Sequence, residues 1–237
     1  MSTESARKRA AREQRERLAR QERRRVTAWI SAGAVVVLLL VGIIGYGVYL
    51  LQRPNADAAV PKHATADGTG VTVGTGPVKV ELFIDYLCPA CRAFETSADS
   101  TLKGYVDSGR ITIVYHPVAI LDDRSTNQYS SRAAAGAGCA SDLDKMYEYT
   151  TALYADQPAE NGPGHTNAEL IEIAAAAGIP KDSFGACVND GKYVDWAQKV
   201  NESIIDRRIT GTPTVVVNGK TLTQNSLQEL KAAIDAG

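Results

Sequence analysis

The sequence has few of the residues from which metal and phosphate sites are usually built. Its 237 residues include three histidines and four cysteines, and they contain no glycine-rich phosphate-binding pattern. Zinc sites commonly take their ligands from two short-spaced pairs, whereas Cys139 and Cys187 each stand alone, without a neighbouring histidine. We therefore expect no metal site and no bound cofactor.

Basic residues are concentrated at the N-terminus, and an uncharged segment follows them. Residues 1–25 contain ten lysines or arginines, and residues 26–51 contain no charged residue. As a helix, this apolar run would be about 39 Å long, enough to cross a hydrocarbon core of about 30 Å. The basic residues favour a cytoplasmic N-terminus. We predict a basic head (1–25) and a transmembrane signal-anchor helix (26–51) that places a single-pass protein in the cell membrane, with its remaining domain extracytoplasmic.

Other interpretations of this N-terminal region stay open. The apolar run could be a cleaved signal peptide, since Ala56-Asp57-Ala58 resembles a cleavage site, or a buried core helix. It is, however, far longer than the apolar part of a signal peptide. A basic head can also bind nucleic acid. The adjoining apolar run favours a topology signal instead, so we expect no nucleic-acid partner.

The rest of the chain predicts an α/β domain. Residues 52–70 are rich in alanine, aspartate, proline and threonine without a hydrophobic period, which indicates a flexible linker. From residue 71 onward we expect one folded domain. Alternating apolar residues over 78–85 predict a buried strand, a helix follows, and residues 111–115 predict a second, parallel strand. Alanine-rich sequence over about 125–192 predicts an inserted helical domain.

The C-terminal part returns to strands. Residues 214–217 are β-branched, and Asn218-Gly219 is a strong hairpin signal before a short return strand. Ser226 with Glu229 three residues later is typical of a capping box at the start of a last helix.

The chemistry of the chain centres on Cys88-Pro89-Ala90-Cys91, between the first strand and its helix. A helix N-terminus stabilises an anion, so we expect a lowered pKa for Cys88, with Cys91 less exposed and suited to resolving a mixed disulfide. An inert structural disulfide and half of a zinc site are the alternatives. Pro89 suits the first helical turn because the N–H that it lacks has no partner there.

The sequence from Asp85 to Cys91, the helical insertion, Thr212-Pro213 and the terminal hairpin and helix together resemble the thioredoxin superfamily, in its DsbA-like branch. The resemblance covers about residues 71–237 and implies a thioredoxin-like fold with an inserted helical domain. It implies that Cys88 is an exposed nucleophile and that Pro213 is a cis-proline against the disulfide. Thr212 would offer its backbone to substrate. Ala90 departs from the Pro-His dipeptide of strongly oxidising members, which puts oxidising strength in question.

Four further residues complete the candidate site. Asp85 and Glu81 share a face of the strand and could manage protons for Cys91, although such carboxylates more often face solvent. Cys139 and Cys187 lie at the two ends of the helical insertion, which favours a structural disulfide over two free thiols or a second redox relay.

The resemblance implies an extracytoplasmic thiol–disulfide oxidoreductase that introduces disulfides into unfolded or cysteine-containing exported proteins. A redox-active Cys88–Cys91 disulfide would take the place of a cofactor. The implied reoxidising partner is a quinone-linked membrane protein of DsbB or VKOR type, and we expect a monomer. The competing functions are a reductase or isomerase with the same site, and a non-catalytic binding module or metallochaperone on the same fold.

Overall fold

The computed structural model describes residues 37–47 and 58–237, which belong to two compact units, Met1–Arg53 and Pro54–Gly237. In the first unit, residues 37–47 are helical. The predicted head (1–25) and most of the predicted transmembrane segment (26–51) lie outside the described residues. Within the described ranges, no helix combines the length and the apolar composition that a membrane crossing requires.

A five-stranded mixed sheet forms the centre of the second unit. Its strands are β1 (Val71–Gly74), β2 (Val78–Ile84), β3 (Ile111–Pro117), β4 (Thr214–Val217) and β5 (Lys220–Thr221), in the order β1-β3-β2-β4-β5. The central strand β2 runs parallel to β3 and antiparallel to β4. All residues of β2 except Lys79 are buried, because helices and loops cover both faces of the sheet centre. The cysteine motif follows shortly after the end of this buried strand.

Seven α-helices surround the sheet among residues 58–237, and a 3-10 helix (Asp122–Arg124) follows β3. Helix α1 (Pro89–Asp107) connects β2 to β3 as the crossover that parallel strands need. A block of five helices separates β3 from β4, and α7 (Leu227–Asp235) ends the chain. The block comprises α2 (Tyr129–Asp142), α3 (Met146–Ala155), α4 (Asn167–Ala176), α5 (Lys181–Asn189) and α6 (Val194–Asp206). The helical run therefore extends beyond the predicted limit of residue 192.

Helix α2 is the centre of this block and packs closely against its neighbours. A Cβ added at Gly136 would lie 2.3 Å from the Tyr149 hydroxyl oxygen, and one at Gly138 would lie 2.6 Å from the Tyr193 ring. Both glycines thus make room for buried aromatic rings of adjacent elements. These two glycines, which lie within the alanine-rich sequence that predicted a helix, therefore determine how closely the neighbouring elements approach α2.

The segment preceding β1 differs from the sequence expectation. Residues 58–70 were predicted as part of a flexible linker, but the structure packs the segment from Pro61 onward on the domain. The Lys62 N–H donates to the Asp142 carboxylate at 3.0 Å, and the Thr69 carbonyl accepts from His116 Nδ1 at 2.6 Å. Hydrogen bonds to distant residues hold this segment, and such bonds leave no hydrophobic period in the sequence.

Candidate active site

The two cysteines of the motif lie at the start of α1. Cys88 is the N-cap residue and Pro89 occupies the first helical turn. Both cysteines are free thiols, so the structure describes the reduced form. Cys88 is 7% exposed and Cys91 1%, which leaves Cys88 the more accessible but far less open than the exposed nucleophile that the sequence predicted. Pro89 and Ala90 are exposed beside it.

The surroundings of Cys88 stabilise its thiolate. A hydrogen bond from the Cys91 thiol is the largest influence, one from the Thr212 side chain follows, and the backbone N–H groups of Cys91 and Ala90 add to them. Together they outweigh burial and lower the pKa of Cys88 to about 5. Unpaired N–H groups at a helix N-terminus are well placed for this, because they have no intrahelical acceptor.

Cys91 is held in the opposite protonation state. Burial raises the pKa of its thiol well above the ordinary value, and the adjacent Cys88 charge raises it further. One sulfur of the pair is therefore a nucleophile at neutral pH, whereas the other keeps its proton. This difference is what stepwise dithiol–disulfide exchange requires.

The loop before β4 forms the other wall of the site. The Thr212-Pro213 peptide bond is cis, and the Thr212 carbonyl oxygen lies 3.4 Å from Cys88 Sγ. Behind it, Asn225 Nδ2 donates to the Pro213 carbonyl at 2.8 Å, and Thr214 Oγ1 donates to the Gly211 carbonyl at 2.7 Å. The structure thus brings Thr212 to the reactive sulfur, 124 residues away along the chain.

Asp85 is buried directly before the motif. Its carboxylate accepts from Leu87 N–H at 2.9 Å, from Leu121 N–H at 2.8 Å and from Ser130 Oγ at 2.7 Å. Burial raises the pKa of Asp85 to about 6, against the effect of these three donors. The side chain therefore fastens the loop before Cys88 to two other elements.

Glu81 is engaged in a separate charged cluster on β2. Its Oε1 lies 3.0 Å from Lys79 Nζ, 3.4 Å from His116 Nε2 and 3.4 Å from Arg207 Nη1. The nearby His116 imidazole is the main reason that the pKa of Glu81 is lowered to about 2. Glu81 is therefore engaged by Lys79, Arg207 and the His116 ring.

The helical block supplies contacts that the sequence did not reveal. Gln157 Nε2 donates to the Tyr86 carbonyl at 2.9 Å and to the Cys88 carbonyl at 3.0 Å, while the Tyr154 hydroxyl donates to the Asp85 carbonyl at 3.2 Å. These residues lie in or just after α3, so the helical block is hydrogen-bonded to the loop that carries the nucleophile Cys88. No local sequence signal links them to the motif.

The remaining two cysteines are joined to each other. Cys139 of α2 and Cys187 of α5 form a disulfide across 48 residues, as the sequence analysis expected. Among the described residues, no cluster of histidine, cysteine or carboxylate side chains has an arrangement that could hold a metal ion.

Comparisons with known proteins agree with this architecture. The family model described as Thioredoxin matches residues 67–236. The crystal structure of reduced DsbA from Mycobacterium tuberculosis superposes with a TM-score of 0.63 and 35% identity, covering 71% of this chain and 91% of that one.

Two curated proteins show more distant similarity. The probable disulfide bond formation protein D of Bacillus anthracis is 25% identical over 210 residues, covering 87% of this chain and 94% of that protein. The serine/threonine-protein kinase PknE of Mycobacterium tuberculosis is 29% identical over 168 residues, covering 66% of this chain. This chain spans only 30% of the length of that kinase.

Proposed function

Because this chain belongs to the thioredoxin family, in its DsbA-like branch of thiol–disulfide oxidoreductases, we propose that it introduces disulfide bonds into exported proteins through Cys88-Pro89-Ala90-Cys91. The observation that carries this proposal is the stabilised Cys88 thiolate, with its pKa of about 5, beside a protonated and buried Cys91. A stabilised thiolate favours the reduced form of the enzyme, and an enzyme that is stable when reduced is a strong oxidant.

The proposed reaction proceeds through a mixed disulfide. A substrate thiolate attacks Cys88 Sγ of the oxidised enzyme, a substrate–Cys88 bond forms, and the Cys88–Cys91 bond breaks with its electron pair on Cys91 Sγ. A second substrate thiolate then attacks the substrate sulfur of the mixed disulfide. The substrate leaves with a new disulfide, and Cys88 leaves as the thiolate that its surroundings favour.

Thr212 and Pro213 have a positioning role in this proposal. The Thr212 carbonyl lies beside Cys88 Sγ, where the backbone of an extended substrate segment would pass. Pro213 has no N–H to compete for that segment, and Asn225 fixes its carbonyl. Pro89 and Ala90 form the exposed rim of the same site.

We also propose a place for this reaction. The basic head (1–25), the transmembrane helix (26–51) and the tether before the folded domain would hold the catalytic domain outside the cytoplasm, as a monomer anchored by one helix. Reoxidation would be the task of a quinone-linked membrane protein of DsbB or VKOR type. Anchoring both proteins in one membrane would raise their effective concentration.

Two matched variants test the reaction. With a reduced, unfolded client protein and glutathione disulfide as final oxidant, Cys88→Ser is expected to abolish client oxidation. Cys91→Ser leaves the nucleophile in place but removes the thiol that can attack Cys88 and release a client whose second cysteine does not react, so it is expected to accumulate a covalent enzyme–client complex. Mass spectrometry after acid quenching measures both outcomes. Client oxidation by Cys88→Ser at the wild-type rate would exclude the proposed mechanism.

The direction of electron flow is tested by the equilibrium potential against glutathione. An oxidase is expected to lie nearer the value of about −120 mV typical of DsbA than the value of about −270 mV typical of thioredoxin. Ala90 in place of histidine is the feature that favours the competing reductase or isomerase. A thioredoxin-like potential would assign the chain to that competing function.

A further inference from the structure

The end of α6 leads directly into the loop that carries Thr212, yet apolar burial does little to fix it. The buried residues of this helix all lie at or before its midpoint: Trp196, Ala197 and Val200. No residue from 201 to 207 is buried, and Ile205 is 76% exposed. Another kind of contact must therefore fix the helix end from which the loop starts.

Arg207, the C-cap residue of α6, supplies a polar anchor. Its Nη2 donates to the Asp67 carboxylate at 2.6 Å and to Thr69 Oγ1 at 3.0 Å, and its Nη1 lies 3.4 Å from Glu81 Oε1. Its guanidinium carbon lies 5.7 Å from the centre of the Phe83 ring. One side chain therefore joins the end of α6 to strand β2 and to the segment that precedes β1.

The groups that Arg207 contacts are themselves held in place. Asp67 accepts from the Thr69 backbone N–H at 3.1 Å, and the Thr69 carbonyl accepts from His116 Nδ1 at 2.6 Å. The buried Phe83 ring stacks on the His116 ring with 4.2 Å between their centres. The planar fork of an arginine suits several acceptors at once. An anchor bound to fixed groups fixes in turn the helix end that carries it.

The other end of the same loop is fixed by the sheet. Thr214, the first residue of β4, pairs with Phe83 on β2, the residue whose ring faces Arg207. Residues 208–213 therefore run between two points that are both fixed at one position of the central strand. Thr212 lies within this span, with its carbonyl oxygen 3.4 Å from the nucleophilic sulfur.

We propose that Arg207 is a positioning residue for the redox site: by fixing the end of α6 against β2 and the segment before β1, it keeps Thr212 in contact with Cys88 Sγ. The Thr212 side chain is one of the donors that stabilise the Cys88 thiolate. Because a stabilised thiolate favours the reduced enzyme, the anchor contributes to oxidising strength. This inference rests on the proposed function of the same site.

The first test replaces the anchor in the full chain. The thiolate absorbance near 240 nm is titrated in the reduced protein, and the equilibrium with glutathione is measured by mass spectrometry after acid quenching. Arg207→Met keeps an apolar chain but removes the donors. We expect the midpoint of thiolate formation to move upward. The equilibrium constant for reduction of the enzyme by glutathione should fall by about threefold to tenfold, since a charge-assisted hydrogen bond is weakened.

Arg208→Met is the matched control. Arg208 is the next residue and is exposed, so its replacement removes the same charge from the same part of the molecule without touching the anchor. Its midpoint and its equilibrium with glutathione should match those of wild type. An Arg208→Met shift as large as that of Arg207→Met would show an effect of net charge and would overturn the proposal.

Asp67→Asn separates positioning from charge by the sign of its effect. This variant keeps Arg207 and removes a negative charge, which by itself would lower the pKa of a nearby thiol. It also weakens the anchor, which frees Thr212 and destabilises the thiolate. We expect the midpoint to move upward, and a downward shift would contradict the role of Arg207. Because Asp67 is exposed, this variant also tests the anchor without disturbing the core.

Thr212→Val tests the route by which Arg207 acts. This variant loses the hydroxyl that donates to the thiolate and keeps the shape of the side chain. Adding Arg207→Met to Thr212→Val should then move the midpoint by less than about a third of its effect in wild type, because coupled residues are not additive. Full additivity would overturn the proposed route, as would an Arg207→Met midpoint and equilibrium constant equal to those of wild type.

Failure of the proposed function has a different signature. A wild-type chain that exchanges no disulfide with glutathione would refute the oxidoreductase reaction itself. The titration of Cys88 needs no exchange, so it would still decide whether Arg207 positions Thr212.

Discussion

The sulfur atom of Cys88 is surrounded by donors from α1 and from the loop before β4. The Cys91 thiol, the Thr212 side chain and the backbone N–H groups of Cys91 and Ala90 stabilise its thiolate. Ala90 contributes only its backbone, so the thiolate does not depend on an imidazole in the dipeptide. The reactivity of the nucleophile is therefore a property of the helix start together with the Thr212 loop.

The stabilisation of the Cys88 thiolate predicts how the reactivity of Cys88 depends on pH. The thiolate absorbance near 240 nm is expected to appear with a midpoint near pH 5, well below the ordinary thiol value of about 8.5. Cys91→Ala removes the largest donor, so it should move the midpoint upward. Cys88→Ser is the control and should show no transition between pH 4 and 7. A wild-type midpoint above pH 8 would contradict this account of Cys88.

The same shift links pH to the stability of the reduced protein. The pKa of Cys88 is lower in the folded than in the unfolded chain, so its contribution to stability is complete above the unfolded value of about 8.5. That contribution is lost as the pH falls towards about 5. The oxidised protein has no Cys88 thiol and lacks this dependence.

Among the secondary-structure elements, α2 and α5 are joined by the Cys139–Cys187 disulfide. Closing a loop of 48 residues removes entropy from the unfolded chain, worth about 4 kcal/mol before any native strain. The double variant Cys139→Ala, Cys187→Ala is expected to lower the free energy of unfolding in urea by about 2–4 kcal/mol. Client oxidation at 25 °C should stay within twofold of wild type. A large loss of oxidation in a folded double variant would instead favour a second redox relay.

Elements with a local sequence signal were predicted well. The buried alternation of β2 and the Asn218-Gly219 turn, whose two residues have φ of 47° and 81°, depend on residues close in sequence. Ser226 caps α7 as expected, accepting from the Glu229 N–H at 3.2 Å. The Glu229 carboxylate, however, binds Thr223 and Gln224 instead of the N-cap backbone. Thr166 and Glu169 instead form a complete capping box at the start of α4.

What the sequence could not reveal depends on contacts between distant segments. Gln157 and Tyr154 reach the motif from the helical block, and Asn225 reaches the cis-proline from the last loop.

For the whole molecule, the N-terminal region predicts a membrane-bound enzyme. The full chain is expected to remain with membranes after carbonate extraction, whereas a variant lacking residues 1–51 should be released. Both should oxidise a client equally with glutathione disulfide. Only the full chain should be reoxidised efficiently by a membrane partner, because anchoring raises the effective concentration. A mature protein whose mass shows loss of the first 55 to 60 residues would establish a cleaved signal peptide instead.

The contact between Cys88 and Thr212 has a consequence during synthesis of the protein. A chain that emerges from its N-terminus exposes both motif cysteines long before Gln157, and longer still before Thr212 and Asn225. Until those residues arrive, the motif lacks the Gln157 and Thr212 contacts of the folded site. The complete site therefore forms only after synthesis has passed residue 225, and a chain truncated before residue 212 carries all four cysteines but no complete site.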